Sequence, residues 1–306
     1  MDIQRTGLLA VLGILTYVLF LQWNLYTEAD NPASAVSAQI QPSTEAPKAG
    51  EVPSSSGVAQ APIAPISSNI VADQIIISTA AADMAITLSG GDITQVLLKE
   101  FPVSLKNQDQ PIPLLDYVSR TYFAQSGLVG ADGPDASTDG RPVYKAEQQR
   151  YDITEPTDVS IQATTDTGLV ITKTFSVDPA RYDIKVTHTI QNTSDTAKTV
   201  SPFIQLKRDN SADPSIQNSM GMQAFLGYAL RTADERYRKV SFSDFETAID
   251  ARELNTELKN NAVAGGYLAL LQHYFTSAWV PSGDQTHLYS FRTNQDGHFI
   301  GSIISP

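Results

Sequence analysis

The chain opens with an uninterrupted apolar run, which is the longest hydrophobic pattern in it. Residues 7–26 carry no charge and are dominated by leucine, isoleucine and valine, so the run has no polar face. At 1.5 Å rise per residue, about 20 residues reach roughly 30 Å, which is the thickness of one hydrocarbon core. Trp23 and Tyr26 end the run, where amphipathic rings favour the headgroup level. The pattern predicts a transmembrane anchor helix over residues 7–26.

The charges on either side of this run predict its orientation. Arg5 precedes it, whereas Glu28 and Asp30 follow it. Because basic flanks tend to stay inside, residues 1–6 are predicted to be cytoplasmic and the rest of the chain to lie outside. A cleaved signal peptide is the alternative, since residues 33–35 (ASA) resemble a cleavage site, although they lie well past the run. A buried core helix fits less well, because the segment is terminal.

The next stretch, residues 27–69, shows no sustained periodicity. It is rich in alanine, serine and proline and nearly free of aromatic residues. Such a composition cannot bury enough apolar area to offset the entropy of ordering it. We therefore expect a flexible linker that spans roughly 35–40 Å on average and tethers a folded domain.

From residue 70 onward, short apolar and β-branched runs alternate with turn residues. The clearest run is 182–191, in which Tyr182 and every second residue after it form an apolar row opposite a polar row. This period of two is typical of a half-buried antiparallel strand. Further β-type runs are predicted at 73–78, 84–88, 93–98, 159–163, 169–177, 199–208, 266–279, 287–293 and 298–303.

Many short strands with few helices predict an all-β sandwich or barrel over residues 70–306. No period of 20–50 residues recurs, so a propeller or solenoid is not indicated. Residues 125–144, rich in Gly, Asp and Pro, are predicted to form a long irregular loop. Residues 220–230 fit a short helix or a strand, and 232–258 read as a solvated polar excursion. The apolar stretch 266–279 is expected to be a central core strand.

Composition narrows the classes of partner and chemistry. The formal net charge of the 306 residues is −12, which argues against nucleic acid and anionic lipid as main partners. The chain has no cysteine, which excludes disulfides, thiol chemistry and cysteine-based metal sites. None of the four histidines pairs with another at metal-ligand spacing, and His188 and His273 are expected to be core residues. No catalytic, cofactor-binding or metal-binding residue is predicted, and no cofactor.

Several motifs together resemble the N-terminal part of the bacterial YidC membrane protein insertases. They span the chain in the family's order, and jointly they are specific. They are MDIQR before the apolar run, GGDITQVLL at 90–98, QSGLVGADGPD at 125–135, RPVY at 141–144, QLKR at 205–208 and GGYLALLQHYFTSAWVP at 265–281.

The resemblance implies a first transmembrane helix at 7–26 and a large periplasmic domain at 70–306, anchored in the bacterial inner membrane. It implies a β-supersandwich similar to galactose mutarotases. It also implies an accessory docking role in the insertion, folding and assembly of inner-membrane proteins, with the Sec translocon and SecDF as partners. Nascent membrane proteins would contact a later bundle of transmembrane helices with an arginine-bearing groove, and the bilayer would contact the anchor.

No residue here matches that groove arginine, so the chain is expected to be a fragment, with its β-domain incomplete at the C-terminus. The polar region 208–262 is the predicted docking place. The candidate docking residues are Arg208, Asp234, Glu235, Arg236, Arg238 and Lys239. Two alternatives remain: a tethered module that binds carbohydrate or extended peptide, and a mutarotase-type sugar epimerase. The first needs an exposed aromatic platform, and the second needs a histidine beside a carboxylate in a cleft.

Overall fold

The described part of the chain is built almost entirely from β-strands, which confirms the all-β prediction. A computed structural model describes residues 74–104, 107–211, 225–283 and 285–305. The cytoplasmic N-terminus, the anchor and the linker predicted for residues 1–69 lie outside these residues. Among the helices in these ranges, none combines the length and apolar character needed to cross a membrane.

Seventeen strands follow one another along the described residues, with longer connections after Val129, Arg208 and Ser241. In order they are β1 (Gln74–Ser78), β2 (Ala82–Thr87), β3 (Ile93–Ser104), β4 (Asn107–Asp116), β5 (Tyr122–Val129), β6 (Lys145–Ala146), β7 (Arg150–Asp152), β8 (Thr157–Thr164), β9 (Leu169–Val177), β10 (Ile184–Asn192), β11 (Ser201–Arg208), β12 (Gly227–Leu230), β13 (Arg238–Ser241), β14 (Leu268–Leu271), β15 (Thr276–Trp279), β16 (Leu288–Thr293) and β17 (Phe299–Ile304). Helix α1 spans Ala248–Asn260, and short 3-10 turns lie at Pro134–Ala136 and Phe242–Phe245.

These strands form three sheets. The largest has nine strands in the order β16-β17-β11-β5-β4-β3-β2-β1-β7, and the others have the orders β10-β9-β8-β6 and β13-β12-β14-β15. All pairings are antiparallel except that between β1 and β7. Antiparallel neighbours are what short turns between consecutive strands permit.

The core lies between the inner faces of these sheets. Along β8 and β9 every second side chain is buried, with Val159, Ile161, Ile171 and Phe175 among the inward residues. They pack in one continuous apolar cluster with residues of β1, β2 and β5, such as Ile77. The period of two therefore identifies the inner row correctly, because each of these strands has one face on the core and one in solvent.

Three regions differ from the sequence prediction. The first part of the loop predicted at 125–144 is instead β5, buried along its whole length. A strand covered on both faces shows no alternation, so the pattern could not reveal it. The stretch 266–279 is not one core strand but the hairpin β14–β15, with Tyr274 at its turn 72% exposed.

The third difference is the region predicted as a solvated excursion, residues 232–258. It contains β13 and most of α1, and its side chains complete the apolar core. Phe242 and Phe245 pack around Tyr228 of β12, and Leu254 and Leu258 are buried on the inner face of α1. The apolar residues are spaced too sparsely among charges for the stretch to read as core.

Helix α1 also covers the outer edge of the large sheet. The side chain of Asn255 accepts from the backbone N–H of Phe291 in β16 at 2.7 Å, and its amide donates to the carbonyl of the same residue at 2.9 Å. One side-chain amide thus replaces the strand that would otherwise pair there, which protects an edge strand from other chains.

Candidate functional site

Five of the six candidate docking residues lie together at the start of β13. We call Asp234, Glu235, Arg236, Arg238 and Lys239 the docking patch. Four of these side chains are exposed and Arg238 is partly buried. The patch carries two acidic and three basic side chains, so it presents a mixed polar surface without a single dominant charge.

The docking patch sits on a well-connected backbone. Thr232 closes the turn before it through two hydrogen bonds with Glu235. The Thr232 N–H donates to the Glu235 carbonyl at 2.8 Å, and the Glu235 N–H donates to the Thr232 hydroxyl at 3.1 Å. Arg238 pairs with Glu257 of α1 at 2.5 and 2.9 Å, and this hydrogen bond lowers the pKa of the Glu257 carboxyl. Lys239 lies 4.7 Å from the ring of Phe225. These contacts fix the docking patch to α1 and to the sheet that contains β12 and β13.

Arg208 does not belong to this surface, and its prediction as a docking residue is corrected. It ends β11, a central strand between β5 and β17, and its relative exposure is 0%. Its guanidinium lies 5.3 Å from the ring centre of Tyr122 and donates to the Ser211 carbonyl at 2.7 Å. Because the side chain is fully buried, it is not available to a docking partner.

A buried ionic cluster, missed from the sequence, lies between the large sheet and the sheet that contains β9. Arg141 donates to Asp92 and, at 2.8 Å, to Asp135, and all three side chains are fully buried. Burial by itself disfavours the charge on Arg141, but the two carboxylates outweigh it and raise the pKa of the guanidinium. Burial also raises the pKa of Asp92, although Arg141 and Lys173 oppose this. All three side chains are closed off from solvent, although Oδ1 of Asp92 has no hydrogen-bond partner among the described residues.

Lys173 of β9 joins this cluster from the opposite sheet. Its Nζ donates to the carbonyls of Gly90 at 2.7 Å, Ser126 at 2.9 Å and Gly91 at 3.1 Å. Burial lowers the pKa of this amine to about 8, while Asp92 acts to raise it. The lysine therefore clamps the turn after β2 and the strand β5 onto β9. A Cβ at Gly90, whose φ is +76°, would collide with the Arg141 guanidinium.

A chain of amides and hydroxyls extends the cluster across the large sheet. Gln125 donates to Asp92 at 2.7 Å, Gln205 donates to Gln125 at 2.5 Å, and Ser302 donates to Gln205 at 3.0 Å. All four residues, Asp92 included, are almost completely buried. Buried polar groups linked in this way specify which strands lie side by side. The arrangement fits a structural role, since no substrate can reach it.

The histidines lie apart from one another. His188 was also expected in the core; it faces inward on β10 opposite Lys173 and is half-buried. Burial, reinforced by the charges of Lys173 and Arg141, lowers its pKa to about 3. His273 was expected in the core, but it lies half-buried at the turn between β14 and β15, stacked 4.0 Å from the ring of Tyr274. Across the described ranges, no cluster of His, Asp or Glu could hold a metal ion.

A surface cluster of aromatic rings lies at the meeting point of three segments. Phe275 packs edge-on against Phe101 of β3 with ring centres 5.5 Å apart, and Phe101 lies 6.2 Å from Tyr182. Phe101 and Tyr182 are 41% and 50% exposed. The Tyr182 hydroxyl donates to Glu100 at 2.6 Å. Exposed rings held in place by neighbours are the feature expected of a binding platform.

Comparison with known proteins identifies the family. Residues 74–306 match the family model of the YidC periplasmic domain. The chain is 38% identical to the membrane protein insertase YidC of Pseudomonas fluorescens SBW25, over all of this chain and 55% of the relative. It is 38% identical to that of Azotobacter vinelandii DJ, over 98% of this chain and 54% of the relative, and 37% identical to that of Pseudomonas putida GB-1, over 100% and 55%. The chain thus spans about half the length of these relatives, and it belongs to the YidC family, whose periplasmic domain it contains.

Proposed function

We propose that this chain supplies a membrane-tethered docking domain to an insertase of the inner membrane. In this proposal residues 7–26 anchor the chain, 27–69 form the linker, and 70–306 form a periplasmic domain, with 1–6 in the cytoplasm. The relatives are named membrane protein insertases, and the chain matches about half of each. We infer that it takes part in the insertion, folding and assembly of inner-membrane proteins, which would contact other parts of such an insertase.

The docking patch is the surface through which we propose that partners bind. The Sec translocon and SecDF are the partners that the family resemblance implies. The observation that carries the proposal is the bracing of an exposed, mixed-charge patch by the Arg238–Glu257 pair and by Thr232. A surface whose backbone is already ordered loses little conformational entropy when a partner binds. Opposite charges within the patch favour a polar partner with its own complementary pattern.

We propose that the role is physical and not catalytic. The buried group of ionisable side chains around Arg141 is enclosed. His188 faces Lys173 of the neighbouring strand, whereas sugar epimerisation needs a histidine and a carboxylate converging in a cleft. Aldose mutarotation in the presence of the purified chain should therefore stay at its uncatalysed rate.

The test of docking is co-purification of the full chain with SecDF from membranes. The test variant replaces Asp234, Glu235 and Arg236 by alanine and leaves Arg238 and Lys239, which make structural contacts, in place. We expect several-fold less SecDF to co-purify, with an unchanged unfolding midpoint because these side chains are exposed. The matched control replaces the exposed pair Arg150 and Asp152 of β7 by alanine. Equal recovery of SecDF with both variants would place the interface elsewhere.

The aromatic cluster supports a second candidate, a module that binds carbohydrate or extended peptide. Its rings come from three segments, and two of them, Phe101 and Tyr182, are exposed as a binding platform requires. Phe101→Ala should abolish binding of a chitin oligosaccharide if the platform takes sugars, whereas Val118→Ala, at a similarly exposed apolar position, should not change it. If the unmodified chain does not bind the oligosaccharide, the aromatic cluster is not a carbohydrate-binding platform.

A further inference from the structure

The four-stranded sheet that contains β8 and β9 ends in a long strand with an open side. β10 has nine residues and pairs with β9 in an unbroken antiparallel register, from Ile184 opposite Val177 to Asn192 opposite Leu169. Within the ranges that the structure describes, no strand pairs with its other side. A strand of this length leaves about 30 Å of backbone edge able to form hydrogen bonds.

The fold protects its other sheet edges. β16 is covered by Asn255 of α1. The other described edge strands are short: β6 has two residues, β7 three, and β13 and β15 four each. β10 has neither a proline nor a bulge, and Lys185 is the one lysine or arginine in it. Short edges, prolines, bulges and charges are the usual means of preventing strand addition, and β10 largely lacks them.

We propose that β10 pairs antiparallel with β10 of a second copy of this chain. The two four-stranded sheets then become one continuous sheet, with a two-fold axis at His188. In this register Thr187 lies opposite Thr189 of the second copy, and Lys185 lies opposite Gln191. On the inner face Val186 lies opposite Ile190.

The side chains of β10 are complementary to themselves in this register. No like charges meet, because the single lysine faces a neutral glutamine. Pairs of threonines and pairs of β-branched residues are both favourable across antiparallel strands. The outer face already carries such rows within one copy: Ser160, Thr174 and Thr187 lie side by side, as do Gln162, Thr172 and Thr189. The second copy extends both rows.

Pairing of one strand buries less area than the 1,200–2,000 Å² typical of stable complexes, so we expect weak association in dilute solution. Confinement of two chains to one membrane raises their effective concentration, which favours the pair without new contacts. This last step rests on the membrane tether proposed above. The strand pairing itself does not depend on the identity of the partner that binds the docking patch.

Disulfide cross-linking of the full chain in membranes tests the register. The chain has no cysteine, so the introduced thiols are the only ones in it. Thr187→Cys and Thr189→Cys are co-expressed on separately tagged chains and treated with a mild oxidant. The cross-linked pair of one Thr187→Cys chain and one Thr189→Cys chain should form several-fold more than a pair of two identical variants, because positions 187 and 189 face each other. The matched control, Ser160→Cys with Gln162→Cys, lies on the same exposed face two strands from the edge and should give background yields.

A charge exchange provides the second measurement. Chains with Asp at both 187 and 189 should no longer co-purify with their own kind, nor should chains with Lys at both positions. A mixture of the two should co-purify again, since the opposing charges then match. Equal cross-linking at the edge and at the control positions would overturn the proposal. The proposal would also fail if the mixture of Asp and Lys variants co-purified no more than either variant does with itself. A cross-linked product of another mass than twice the chain would assign the edge to a different protein. SecDF recovery, measured on the same variants, reports separately on the proposed function.

Discussion

At the scale of single residues, Arg141 contributes most clearly to the stability of the domain. It pairs with two carboxylates that are themselves fully buried. Arg141→Leu would remove this partner from both and leave Lys173 as the remaining cation in the cluster. Breaking such a buried pair costs about 3–5 kcal/mol. The free energy of unfolding, measured by urea denaturation, should fall by about that amount.

A matched control separates burial from charge pairing as such. Arg150 makes the same kind of contact with Asp152, at 2.9 Å, but both side chains are more than half exposed. Arg150→Leu should change the free energy of unfolding by about 1 kcal/mol or less, because solvent screens the pair. Similar losses of unfolding free energy for both variants would show that the buried cluster contributes no more to stability than an exposed ion pair.

His188 predicts how stability depends on pH. Its pKa is about 3 in the folded chain, against an ordinary value of 6.5, because burial and the charges of Lys173 and Arg141 disfavour the imidazolium. Between these two values the unfolded chain binds more protons, so the stability due to this group is lost as pH falls below about 6.5. His188→Gln should lose less stability between pH 7.5 and 5 than the unmodified chain. Parallel urea curves at both pH values measure the difference, and identical losses would contradict the assignment.

At the scale of elements, the covering of β16 by α1 is the contact that we expect to control association. Asn255→Ala removes two hydrogen bonds and leaves the N–H and carbonyl of Phe291 unpaired. We expect a loss of about 1–3 kcal/mol in unfolding free energy and faster aggregation on heating, since an open edge accepts other strands. Light scattering during thermal unfolding measures the second effect.

The control for this element is Asn260→Ala at the exposed end of the same helix. It changes the same residue type without touching β16, so neither stability nor aggregation should change markedly. If both variants aggregate alike, the helix protects the edge by its presence and not through the Asn255 amide.

At the scale of the whole molecule, the proposed topology makes the linker the place where proteases act. Protease added to spheroplasts should cut within residues 27–69 and release the β-domain intact, because a folded domain hides its backbone in hydrogen-bonded strands. A cytoplasmic marker protein must survive in the same sample to show that the inner membrane is intact. Protection of the domain under these conditions would reverse the proposed orientation.

The local hydrophobic pattern determined most of the strands that have one face in solvent. β9 spans 169–177 as predicted, and β10 and β17 agree within two residues at each end, because alternation depends only on neighbours along the chain. The turns at Gly168 and Gly297 agree as well, since each has a positive φ that favours glycine. The family motifs added the identity of the domain, which composition alone did not contain.

The tertiary structure decided the features that depend on residues far apart in sequence. β5 is buried on both faces, so the pattern of its glutamine and serine is that of loop residues. Their partners lie far away in sequence, in the turn before β3, in β9 and in β11. Arg208 was read as exposed because charged residues usually are, but its strand is central. Arg141 meets Asp92 across 49 positions of the chain. A pattern of local spacing carries no signal for such contacts, which form only when the sheets come together.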